Sequence, residues 1–78
     1  MTGVDRIMNL LNAEIEQEYI IKDVLTGDDE ELKSFLFSLG CYSGEPVTVI
    51  KHLKGGCVIS IKDARYTIDK QLAAAIEI

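Results

Sequence analysis

A chain of 78 residues, with thirteen acidic and eight basic side chains and a net charge of −5 at neutral pH, is long enough for one domain with one small core. Chains of this size bury about 60–65 % of their unfolded surface, so modest stability, helped by a partner or by self-association, is expected. The acidic balance, gathered at residues 14–18 and 28–31, excludes general nucleic-acid binding, which needs a positive footprint, and disfavours an anionic membrane surface.

In chain order, Val4, Ile7, Met8 and Leu11 recur at helical spacing behind a Thr2 cap with Asp5 at the capping-box position. They predict an N-terminal helix of two to three turns within a helical extension, residues 1–18. Its apolar stripe would cover the neighbouring core or meet a partner. Residues 19–25 supply a first strand. Asp28 then stands as an N-cap with Glu31 three residues on, and Asp29 and Glu30 add negative charge at the positive end of the helix dipole. Leu32, Phe35, Leu36 and Leu39 form one apolar stripe, and Gly40 is placed to close the helix in a left-handed conformation.

After Gly40 the hydrophobic period changes to two. Pro46 suits the first position of a strand, Val47 and Val49 share one face, and Lys54, Gly55 and Gly56 form the turn of a hairpin between residues 47–53 and 57–61. Cys57, Ile59 and Ile61 make the apolar face of the second arm. A polar turn at residues 62–65 leads to a third meander strand at 66–68. Asp69 caps a helical turn over residues 70–74, and residues 75–78 alternate as a last strand. Five short strands around one small core predict a mainly β fold, a partly open barrel with one helix inserted after the first strand, because closure disposes of exposed edges.

The spacing of Leu36, Leu39 and Gly40, of Gly44, Val47 and Val49, of Gly55 and Gly56, and of Tyr66, Ile68, Leu72 and Ala73 resembles the FeoA family, ferrous iron transport protein A, over residues 19–78. The lead-in at residues 12–18 departs from the family pattern, having neither the proline nor the glycine of its usual turn. The resemblance implies an SH3-like barrel. It also implies a cytoplasmic partner of ferrous iron transport protein B, a membrane-embedded GTPase. The alternative it leaves is a regulatory module related to the C-terminal domain of metal-dependent transcriptional repressors.

No apolar run approaches the roughly 20 residues that span a bilayer, and the start lacks the layout of a secretion signal. Two cysteines, Cys41 and Cys57, are too few for a disulfide framework, so reduced thiols and a cytoplasmic chain are expected. Cys41, Cys57 and His52 are the only soft or imidazole donors and fall on different elements, so no metal site and no cofactor is expected. Ser34, Ser38, Ser43 and Ser60 sit in no nucleophile motif and no phosphate-binding glycine loop occurs, so no enzyme is expected either.

A binding module remains. Phe37 lies off the helical stripe, and either packs under the N-terminal helix or offers an aromatic ring to a partner. Tyr42, just past the helix, has a phenol suited to a half-buried contact. Lys51, His52 and Lys54 group at the hairpin tip, where they are placed to meet an acidic protein surface.

Overall fold

The computed structural model describes residues 8–78. A single 3-10 turn (Leu10–Asn12) is followed by strands β1 (Glu18–Ile20) and β2 (Asp23–Val24), then helix α1 (Glu30–Leu39). Strands β3 (Pro46–Leu53), β4 (Gly56–Ile61) and β5 (Ala64–Asp69) come next, and helix α2 (Lys70–Ala75) and strand β6 (Ile76–Glu77) end the described chain.

The strands make two antiparallel sheets, one in the order β1-β3-β4-β5 and a two-stranded ribbon of β2 and β6. The expected barrel is therefore not closed, because β1 and β5 remain the edges of the larger sheet. Six strands replace the expected five because the segment read as one first strand changes sheets at Ile21. That side chain is buried, its N–H donates to the Glu45 carbonyl, and the next N–H, of Lys22, donates to the Glu77 carbonyl. Each half of the segment thus satisfies its backbone groups on a different sheet.

The expected N-terminal helix is corrected only over its described part, from Met8 on. Within the described residues only the 3-10 turn forms, and Met8 and Leu11, expected on a packed stripe, are each 38 % exposed. Asn9 is the reason: its backbone is extended (φ −132°, ψ −178°), so no helix runs through it, and it caps the 3-10 turn instead, its side chain accepting from the Leu11 N–H while the Asn12 side chain accepts from the Asn9 N–H. Leu10 goes into the core instead. Thr2, Val4, Asp5 and Ile7 lie outside the described residues.

On β3 the alternation begins as expected, with Pro46 first and Val47 and Val49 buried. The β3–β4 register then shifts between Val49 and Lys51. Ile50 is the extra residue of this bulge, and beyond it His52, rather than Lys51, stands opposite the buried Cys57. The core gathers Val47, Val49, Cys57, Ile59, Ile61 and Ile68 from the larger sheet and Ile76 from the ribbon. Leu10, Ala13, Ile21 and Leu36 join it from outside the sheets.

Helix α1 meets this core narrowly. Leu36 is fully buried and Leu39 packs beside it, while Phe35, expected on the buried stripe, is 49 % exposed. The cap is Asp29, one residue later than expected; its carboxylate accepts from the Leu32 N–H at 3.0 Å.

Candidate protein-interaction site

Gly40 ends α1 at φ 97°, and its N–H returns to the carbonyls of Leu36 and Phe37. The Cys41 N–H also bonds the Leu36 carbonyl, at 2.9 Å, which carries Cys41 into the core and leaves Tyr42 half-buried beside the helix end. The loop beyond is tied to the point where the chain changes sheets. Ser43 Oγ donates to the Lys22 carbonyl (3.0 Å), the Gly44 N–H donates to the Ile21 carbonyl (2.8 Å), and the Ile21 N–H donates to the Glu45 carbonyl (2.9 Å).

Phe37, on the last turns of α1, and Tyr42, on this anchored loop, meet edge to face, with ring centroids 5.8 Å apart and planes at 60°. Lysines flank the pair. Lys33, one helical turn before Phe37, holds its Nζ 5.8 Å from that ring, and Lys62, from the β4–β5 turn, holds its own 5.1 Å from the Tyr42 ring. Lys62 Nζ also lies 2.8 Å from Glu45 Oε1. The hydrogen bond to Glu45, then that to Tyr42, pushes the Lys62 ammonium above its ordinary range, so it remains charged at any physiological pH. Its stem crosses Gly40, where an added Cβ would come 2.8 Å from Lys62 Cδ. The result is an apolar, π-rich patch bordered by cations, in which Phe37 is 46 % exposed.

Of the five residues singled out from the sequence, the structure brings together Phe37 and Tyr42. Lys51, His52 and Lys54 lie on the β3–β4 hairpin, all three exposed. His52 has a structural tie, its Nε2 standing 2.9 Å from the Ala13 carbonyl. Sequence reasoning missed Lys33, Lys62 and Glu45. The signal for Lys33 was its place four residues before Phe37. For Lys62 the sequence held no such signal: the tight Lys62–Asp63 turn, with positive φ at both residues (49° and 65°), brings it near Tyr42 only in the fold.

Cys41 and Cys57 are free and buried, and burial pushes the Cys41 thiol from 9.0 to about 11 and raises that of Cys57 as well. Among the described residues no three His, Cys, Asp or Glu side chains converge to hold a metal ion, and no helix is long and apolar enough to cross a membrane.

This architecture, a small β domain with α1 inserted after its first two strands and the short α2 before the last, is SH3-like. The chain has a TM-score of 0.80 to the crystal structure of an iron uptake regulatory protein (FeoA), at 23 % identity, covering 92 % of this chain and 95 % of that one. It has a TM-score of 0.79 to the solution structure of iron(II) transport protein A from Clostridium thermocellum, at 22 % identity, over 90 % of this chain and 43 % of that one. A third, Stenotrophomonas maltophilia FeoA complexed with zinc and described as a procaryotic SH3 domain protein, gives 0.77 at 15 % identity, over 88 % and 86 % of the two chains. No curated protein matches the sequence. The sequence profile of the FeoA domain matches residues 8–78. The chain therefore belongs to the FeoA family, which is associated with ferrous iron transport.

Proposed function

We propose that this chain is a cytoplasmic accessory protein of ferrous iron uptake that docks on the membrane GTPase ferrous iron transport protein B and modulates transport without catalysing a reaction itself. Family membership supports the setting. The observation that carries the docking surface is the Phe37–Tyr42 pair: two aromatic rings in mutual contact, one nearly half exposed at the end of α1 and the other on a loop fixed by backbone hydrogen bonds. Rigid aromatic anchors lose little freedom on binding and are enriched among interface hot spots. Lys33 and Lys62 would favour a partner surface bearing carboxylates around an apolar pocket. Lys51 and Lys54 on the hairpin form a second basic feature that would extend the same preference.

The test is affinity capture with the intact chain from native cytosol and membrane fractions, followed by Phe37→Ala and Tyr42→Ala. The transporter is expected with the wild type, with recovery falling about tenfold or more in the variants while folding is retained. Failure of the wild type to recover the transporter, together with unchanged iron uptake on deletion of the chain, rules the reading out.

A further inference from the structure

We infer that β5 is a self-pairing edge, through which two copies of this chain join their larger sheets antiparallel about Thr67. The β4–β5 hairpin closes on two residues of positive φ, Lys62 and Asp63, the turn geometry in which the flanking Ile61 and Ala64 form a hydrogen-bonded pair. From that pair the ladder alternates. Tyr66 and Ile68 direct their backbone N–H and C=O groups at Ile59 and Cys57, whereas Arg65, Thr67 and Asp69 direct theirs away from β4. β5 is the last strand of its sheet, and among the described residues no other backbone group meets Arg65 or Thr67. Arg65, Thr67 and Asp69 are all exposed.

Such an edge is a template for another strand, and its sequence specifies which one. Two β5 strands run antiparallel about Thr67 place Thr67 opposite Thr67 of the second copy, with Arg65 opposite Asp69 of the second copy on either side. Unlike charges then face each other at both flanks. The central threonines exchange two backbone hydrogen bonds, and each Asp69 N–H donates to the Arg65 carbonyl across the junction. Tyr66 falls opposite Ile68 of the second copy, so the core-side face continues through the join. Centring on Arg65 or on Asp69 would set like charges opposite each other, and centring on Tyr66 or Ile68 would leave one of the three outward-facing residues unpaired. Only the Thr67 centre satisfies both the charges and the hydrogen bonds. The aromatic patch is built from α1, its following loop and the β4–β5 turn, so it is not used by this pairing.

Sedimentation velocity of the full chain from about 10 µM to about 1 mM tests the inference. A concentration-dependent dimer is expected. Arg65→Asp, which sets two carboxylates against each other, and Thr67→Pro, which removes the outward N–H and spares the β4 ladder, should each weaken it at least tenfold, while Arg65→Lys retains it. Because Thr67→Pro risks the fold, its circular dichroism is compared with wild type. Thr67→Cys supplies an independent arm. A hydrogen-bonded antiparallel pair holds its Cα atoms about 5.5 Å apart, within disulfide range, so mild oxidation should give a covalent dimer that Lys54→Cys does not match. A monomer at every concentration overturns the inference. So does a dimer indifferent to Arg65→Asp, or a Thr67→Cys chain that cross-links no faster than the Lys54→Cys control.

Discussion

Single side chains and single missing side chains decide where this domain is least tolerant. Gly56 opens β4 directly beneath β5, and a Cβ built there would run into the Ile68 carbonyl oxygen and come 2.7 Å from Asp69 Cα. Both are backbone atoms of a paired strand and cannot step aside. Gly56→Ala is therefore expected to cost about 1–3 kcal/mol in urea unfolding, comparable to overpacking a core. Gly55→Ala, with open space around it, should cost less. Cys41 makes a pH-dependent contribution. Burial raises its pKa from 9.0 to about 11, so the folded chain holds the thiol proton more tightly than the unfolded chain. The associated stability is complete below pH 9 and is lost as pH rises toward 11, at about 1.4 kcal/mol per unit within that window. Thermal scans should show the melting temperature falling from pH 9 to 11, and Cys41→Ala should flatten that fall.

At the level of elements, α1 separates local signals from tertiary ones. Its end at Gly40 and its acidic first turn were legible in the sequence because capping is a property of a few neighbouring residues. Its buried stripe was legible only in part, since periodicity marks the apolar face but not how much of that face the rest of the molecule covers. Leu36 is buried, while Phe35 on the same stripe points to solvent. Leu36→Ala should thus cost about 2–5 kcal/mol. Asp29→Ala, which removes the cap to the Leu32 N–H, should cost about 1 kcal/mol. Chemical denaturation of the two variants would order them so. The β3–β4 hairpin was likewise readable from its turn glycines, but the bulge at Ile50 was not. An unbroken alternation and one interrupted by an extra residue look alike until the partner strand fixes the register. That interruption puts His52 Nε2 against the Ala13 carbonyl while the ring stays on the exposed hairpin beside Lys51. The aromatic pair was half legible: Phe37 and Tyr42 stood out as types, whereas Lys62 reaches them from a distant turn that only the fold brings near.

Across the whole molecule, one core joins the segment before β1 to the last strand. Leu10 and Ala13 are buried with Ile76 and Ile78, and the Ile78 N–H donates to the Met8 carbonyl. Leu10→Ala is accordingly expected to cost about as much as Leu36→Ala, a large fraction of the stability available to a domain this small. Fluorescence and circular dichroism melts of the variant should remain a single coincident transition, as befits one cooperative unit. Sequence periodicity assigned the early segment to a helix because it measures spacing alone. Asn9 and Asn12 start a short 3-10 turn there through side-chain hydrogen bonds, a local signal that no count of apolar residues registers. The place where the chain changes sheets has a practical corollary for spectroscopy. The Ile21 and Gly44 amides are both locked into the brace that carries Tyr42. Their deuterium uptake in heavy water should slow when a macromolecule settles on the aromatic rings, so these two amides serve as built-in reporters of occupancy, with no label attached to the contact surface.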